Sequence, residues 1–228
     1  MSIVSVQEVQ REYTQGEFVV KALQGVSLEI EEGEFTVLMG PSGSGKSTLL
    51  NIIGGLDSPS SGSVQVEGVE LSRMSEGELS DLRLHRLGFV FQAYNLIPVL
   101  SAYENTEFVP LMQGVPLAER KERVMGVLNS VGLQGMENRL PSEMSGGQQQ
   151  RVAVARALAG NPVLILADEP TANLDSKTGH DLIDLMKQLN EKDNVTFLFA
   201  THDPKVMNAA KRVIKLEDGQ IVEDRRQE

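Results

Sequence analysis

The chain has 228 residues, 40% hydrophobic and 23% charged, which is ordinary globular usage and enough length to bury a core without disulfides or structural metal. With 21 Lys+Arg against 32 Asp+Glu the net charge is −11, which argues against broad binding to a nucleic-acid backbone but leaves room for a local basic pocket. No cysteine is present, so a disulfide framework and thiol chemistry are both excluded.

In chain order, Met1 to Gln10 shows no basic-then-apolar leader, and no apolar run approaches the ~18 residues that span a bilayer. Any membrane role is therefore expected to run through a partner. The first strong element is Phe35-Thr36-Val37-Leu38-Met39, a short β-rich run stopped by Gly40-Pro41. Gly40-Pro41-Ser42-Gly43-Ser44-Gly45-Lys46-Ser47-Thr48 then fits G-x-x-x-x-G-K-[ST], between that strand and a helix predicted from about Lys46. The glycines let backbone N–H groups turn inward toward phosphate oxygens, and the helix adds its positive end. Lys46 supplies a point charge for the β/γ-phosphates, and the Ser47 hydroxyl suits Mg²⁺. Gly62 to Glu67 alternates and meets Gly68, the pattern of an antiparallel strand and turn.

From Ala93 to about Gly160 no strong strand is visible. Leu117 to Val131 and Ser145 to Ala159 carry helical periodicity, so this stretch reads as a helical insertion. Ser145 is a good helix N-cap, and Gln148 three residues on completes a capping-box pattern. Gly146 and Gly147 at the positive end of that helix make a second anion site. The two phosphate-binding helix ends lie about a hundred residues apart, and one nucleotide need not touch both within one chain, which suggests a second chain.

Val163 to Ala167 is an apolar strand ending in Asp168 and Glu169. Neighbouring strand side chains point opposite ways, so one carboxylate is expected to hold Mg²⁺ and the other to orient and deprotonate an attacking water. Val195 to Ala200 is a third buried strand, followed by Thr201-His202-Asp203, and Val213 to Val222 reads as a hairpin around Asp218-Gly219. His85 and His180 match nothing and are expected on the surface. The alternation of strands and helices predicts an α/β chain with parallel strands, ligands lying at their carboxyl ends.

In this order the motifs resemble those of the nucleotide-binding subunit of an ATP-binding cassette (ABC) transporter, over nearly the whole chain. Ser145-Gly146-Gly147-Gln148-Gln149 is similar to the family signature, with Met144 where Leu is usual. Gln92, in Phe89-Val90-Phe91-Gln92, resembles the Q-loop glutamine that contacts Mg²⁺; Asn173-Leu174-Asp175-Ser176 resembles the D-loop that links two sites; His202 resembles the switch histidine that reaches the γ-phosphate. Tyr13 lies where the family places an aromatic residue to stack on adenine.

The resemblance implies a P-loop NTPase (RecA-like) core with a mostly parallel sheet, an antiparallel β subdomain and a helical insertion. It implies one domain over 1–228, with 1–92 and 161–228 forming the core and β subdomain and 93–160 the helical subdomain. It implies an ATPase using ATP and Mg²⁺. Glu169 and His202 would be catalytic. Tyr13, the loop from Gly40 to Thr48, Gln92, Ser145 to Gln148 and Asp175 would bind nucleotide, and Ser47, Gln92 and Asp168 would hold the metal. The partners implied are a second copy of the chain, in a head-to-tail ATP-sandwich dimer, and integral membrane permease subunits, with no nucleic acid. The place implied is the cytoplasmic face of the inner membrane.

Leu87 to Gln92 with Ala93 to Pro98, Glu104-Asn105, and Ala167 to Ser176 resemble the lipoprotein-release and macrolide-efflux group, although Ala172 stands where close relatives often carry Gly. An export or mechanical-transmission complex is thus implied. The alternative is a soluble ABC ATPase acting in cell division or on nucleic acid or the ribosome; a small-molecule P-loop kinase would leave Ser145 to Gln149 unexplained. The apolar run Ala93 to Leu100 either packs inside the chain or is exposed as a docking patch; the expectation is a groove bordered by Gln92 to Pro98 that receives a short helix of the membrane subunit, with Tyr94 and Leu96 the residues to test.

Overall fold

The computed structural model describes residues 2–16 and 18–227. In chain order the elements are β1 (Ser2–Gln15), β2 (Phe18–Glu31), β3 (Phe35–Met39), α1 (Lys46–Ile53), β4 (Ser61–Val66), β5 (Val69–Glu70), α2 (Glu76–Arg86), β6 (Leu87–Phe91), α3 (Ala102–Met112), α4 (Leu117–Ser130), α5 (Gly146–Ala159), β7 (Leu164–Asp168), α6 (Ser176–Asp193), β8 (Phe197–Ala200), α7 (Pro204–Ala209), β9 (Arg212–Glu217) and β10 (Gln220–Arg226).

They form two sheets. One has the order β2-β1-β4-β5 and is antiparallel throughout. The other has the order β10-β9-β3-β8-β7-β6, parallel from β9 to β6, with β10 added antiparallel at one edge. Strands β3, β7 and β8 are almost wholly buried, as continuous apolar runs require when both faces of a sheet are covered. Their period of two divides the core. Phe35, Val37, Ile165, Ala167, Phe197 and Phe199 face one cluster, shared with Val124 and Leu128 of α4, Val152 of α5 and Met186 of α6. Leu38, Leu164, Leu166, Leu198 and Ala200 face the other, shared with Leu49 and Ile53 of α1 and with Val4 and Val6 of β1. The rings of Phe35 and Phe199 lie 4.6 Å apart in the first cluster. The antiparallel sheet is thus packed onto α1 and the parallel sheet through a common apolar layer.

The segment between β6 and β7 holds α3, α4 and α5 and no strand among the described residues. Ser145 caps α5 as expected, accepting from the Gln148 N–H while Gln148 Oε1 accepts from the Ser145 N–H. The hairpin of β9 and β10 turns at Asp218 and Gly219, both with positive φ (47° and 77°), the geometry that Asp-Gly supplies.

The sequence reading identified neither the long ribbon of β1 and β2 nor β6. In β1 the pairing slips at several points between Ser2 and Glu12, so its apolar residues do not keep a clean alternation. In β6 the apolar run is interrupted by Gly88, whose missing Cβ makes room for Ala157, Pro162 and Ile165.

Candidate functional site

The carboxyl ends of β3, β6, β7 and β8 converge, and each leads into one of the motif segments. A cleft of about 710 Å³ lies there, lined by Tyr13, Val20, Lys21, Ala22, Pro41, Ser42, Gly43, Gly45, Lys46, Ser47, Thr48, Gln92, Glu169, Ala172 and His202. The loop after β3 curls because Gly45 takes φ +99°, where a Cβ would stand 2.5 Å from the Ala22 carbonyl oxygen. Ser44 is buried beneath the loop; its N–H donates to Pro41 O (3.3 Å), and its carbonyl accepts from the Gly219 N–H (3.2 Å). Gly40 lies against the Leu216 carbonyl and the Ser44 side chain. Helix α1 begins at Lys46 with no side-chain cap and no acidic residue in its first turn, so its free N–H groups and positive end face the cleft. Lys46 is buried, and its amine donates to the Gly40 and Pro41 carbonyls at 2.9 Å each.

Asp168 closes β7 and accepts from the Ser47 hydroxyl at 2.9 Å. Burial pushes its carboxyl above the usual range; the charge of Glu169 adds to the rise, while the Ser47 hydrogen bond opposes it. Glu169 is not in extended backbone. Its φ is +45°, in the left-handed region, a conformation that costs a non-glycine residue about 1–3 kcal/mol. The separation of the two carboxylates therefore comes from this turn and not from strand alternation. The turn is fixed by the Glu169 N–H donating to Ala200 O (2.8 Å). Both carboxylate oxygens are held by residues following β8: Thr201 Oγ1 donates to Oε2 at 2.9 Å, and His202 Nδ1 lies 2.6 Å from Oε1. Thr201 carries a bond that the motif reading did not assign to it.

Gln92, exposed after β6, is joined to the loop of Asn173. Asn173 Nδ2 donates to Gln92 O at 2.9 Å, and Gln92 Nε2 donates to Asn173 Oδ1 at 3.4 Å. Gln150 of α5 donates to both Phe91 O (3.3 Å) and Pro170 O (2.9 Å), so the helix that begins at the signature grips the segments leading to Gln92 and Asn173. Asp175 caps α6, accepting from the Lys177 and Thr178 N–H groups (3.0 and 3.1 Å) and the Thr178 hydroxyl (2.5 Å), which holds its carboxyl below the usual range. Asp175 and Ser145 to Gln148 are not among the residues lining the cleft. Gly147 is pressed against α6: a Cβ there would stand 2.1 Å from the Thr178 methyl.

Among the described residues no group of three or more acids or histidines is placed to hold a metal. Ser47, Asp168 and Gln92 offer hard oxygens. That set fits Mg²⁺, which keeps several waters and takes further ligands from substrate phosphates.

The apolar run after Gln92 departs from expectation. Tyr94 and Asn95 both take positive φ (59° and 50°), which breaks the alternation. Leu96 turns inward against the core, and the Tyr94 hydroxyl packs beside Gly146. A groove of about 460 Å³ is present, but Asn95 and Ile97 line it, with Leu56, Phe89, Phe91, Phe108 and two arginines, Arg83 and Arg156. His85 and His180 are exposed, as expected.

Comparison with known proteins agrees with this geometry. The family model described as ABC transporter matches residues 23–172. An uncharacterized ABC transporter ATP-binding protein of Thermotoga maritima is 48% identical over 96% of this chain and 93% of its own length. The macrolide export ATP-binding/permease protein MacB of Mannheimia succiniciproducens is 43% identical over 98% of this chain, which spans only 35% of that protein. The cassette MJ0796 of Methanocaldococcus jannaschii, solved as a dimer in a post-hydrolysis state bound to ADP and Pi, superposes with a TM-score of 0.89 at 45% identity, covering 98% of each chain. The chain therefore belongs to the ABC transporter family, as one of its ATP-hydrolysing, nucleotide-binding cassettes.

Proposed function

We propose that this cassette powers a membrane export or mechanical-transmission complex by hydrolysing Mg-ATP between two copies of itself. The observation that carries the reading is the division of the motifs. One cleft gathers Tyr13, the phosphate loop, Gln92, Glu169 and His202, while Ser145, Gly146, Gly147 and Gln148 lie outside it. A partner copy set head to tail would bring that second helix end to the nucleotide, and the dimeric cassettes among the structural relatives support such an arrangement.

In each site Tyr13 stacks on the base, and Lys46 with the N–H groups of the loop holds the β/γ-phosphates. Ser47, Asp168 and Gln92 would hold Mg²⁺, which would supply neutralisation of charge on the phosphate oxygens. Glu169 is the general base, fixed on both oxygens by Thr201 and His202 so that its orientation needs no reorganisation when water arrives. His202, largely exposed, has Nε2 available to meet the γ-phosphate, donating to it when both ring nitrogens carry a proton. Asp175 and Asn173, next to the signature helix, connect the two sites. No helix of the described residues is long and apolar enough to cross a membrane. The proposed partner is a membrane permease that meets the cassette at the cytoplasmic face and seats in the groove of Ile97 and Phe108.

Glu169→Gln tests the assignment. It removes the base and leaves the phosphate cradle. ATP binding is expected to persist, turnover to fall by at least about a hundredfold, and the chain to collect as an ATP-bound dimer on size exclusion. Turnover close to that of the parent would refute the role of Glu169.

A further inference from the structure

Tyr13 is gripped by two side chains that belong to none of the nucleotide motifs. Its hydroxyl donates to Asp57 Oδ2 at 2.6 Å. Arg11 lies over its ring, the guanidinium carbon 4.5 Å from the ring centroid. Arg11 is itself fixed, donating through Nε and Nη2 to the two oxygens of the same Asp57 at 3.1 and 2.7 Å. Arg11 and Tyr13 stand two positions apart on β1 and so share a face of the strand, while Asp57 lies in the segment between α1 and β4. Tyr13 lines the nucleotide cleft beside Val20 and Ala22, and Arg11 does not.

We propose that Arg11 and Asp57 are positioning residues that hold Tyr13 as a one-sided platform for the purine base. The inference rests on the reading of Tyr13 as the base-stacking residue. A tyrosine 39% exposed on a strand has rotamers to lose when a base stacks on it. The bond at its tip and the cation on one face fix those rotamers beforehand and leave the other face for a flat ligand. The Arg11 charge is neutralised by Asp57 in a bidentate pair, so Arg11 is not a phosphate ligand. Asp57 also joins the turn end of the β1–β2 ribbon to the segment that follows α1, the helix after the phosphate loop, setting base and phosphate sites in one frame.

The test compares two probes on the whole chain: ADP with Mg²⁺, which carries the base, and inorganic pyrophosphate with Mg²⁺, which does not. Tyr13→Ala is expected to weaken ADP binding most. Asp57→Ala and Arg11→Met are expected to weaken it about three- to tenfold, the loss for an ordered side chain set free, with pyrophosphate binding unchanged in all three. Asp57→Asn, which keeps an acceptor for the phenol, should recover most of the loss. If Asp57→Ala fails to fold, Tyr13→Phe, which deletes only the hydroxyl held by Asp57, carries the same expectation. If Tyr13→Ala weakens ADP but Asp57→Ala and Arg11→Met bind it like the parent, the positioning role is wrong while base stacking stands. If Tyr13→Ala binds ADP like the parent, the base reading fails and the proposal with it. Equal loss of ADP and pyrophosphate in the Asp57 variant would show a general defect of the loop and overturn the proposal.

Discussion

Lys46 is buried at the mouth of α1, with its amine on the carbonyl oxygens of Gly40 and Pro41. Its charge is the only cationic one between Gly40 and Thr48, so the proposed phosphate site would rest on this one side chain beside backbone dipoles and Mg²⁺. Lys46→Ala is expected to reduce affinity for Mg-ATP by about tenfold or more, the worth of a charge-assisted hydrogen bond. A binding titration checks this, and unchanged affinity would remove Lys46 from its role. Residues of this kind were readable because their chemistry is local: loop, lysine and hydroxyl lie within nine consecutive positions. Thr201 and Asp57 were not, because their meaning comes from partners 32 and 44 positions away. The backbone of Glu169 was also beyond reading, since its left-handed turn is imposed by the Ala200 carbonyl of a neighbouring strand.

At the scale of elements, α5 and α6 meet at Gly147 and Thr178. The closeness has a simple cause: Gly147 has no Cβ, and the Thr178 methyl fills the space one would need. Gly147→Ala overpacks this contact and is expected to cost about 1–3 kcal/mol of unfolding free energy. Thr178→Ser removes the offending methyl and should restore most of it in the double variant, as read by denaturant titration. An equal loss with and without Thr178→Ser would place the strain elsewhere. Strands β3, β7 and β8 were legible in sequence because burial on both faces leaves a continuous apolar run. Helix α5 was legible from its capping residues. The direction of Leu96 was not, because two consecutive positive-φ residues, Tyr94 and Asn95, precede it and break any strand alternation, so that Leu96 packs on the core while Ile97 lines the groove.

At the scale of the molecule, the groove lies on the face formed by β6, α2 and α3, with Phe108 41% exposed and no acidic residue among its lining. Ile97→Ser and Phe108→Ser remove apolar contact there without touching the nucleotide cleft. Each is expected to leave the isolated chain folded and binding ATP, and to weaken assembly with the membrane subunits or their stimulation of hydrolysis by about tenfold, as loss of an interface anchor does. Normal assembly and stimulation in both variants would move the docking site elsewhere. The α/β fold class was legible from the order of apolar runs, and the antiparallel subdomain from the family resemblance and the alternation of Gly62 to Glu67, whereas strands β1 and β2 themselves were hidden by the bulges in their pairing.

Strands β6 and β7 are neighbours in the sheet, paired in parallel from Leu87 with Leu164 to Phe91 with Asp168. The chain therefore leaves the sheet at Phe91, builds α3, α4 and α5, and re-enters on the adjacent strand. A segment whose two ends return to one place can be exchanged in evolution as a cartridge, because no other strand must change its neighbours to receive it. The Gln150 bonds to Phe91 and Pro170 show what such a cartridge has to bring with it: one side chain that latches the inserted helices to both flanking loops. The strands β3, β7 and β8 and helix α5, which keeps both the signature segment and the Gln150 latch, can then stay fixed while α3 and α4 vary, so the surface that this insertion presents can change faster than the nucleotide site.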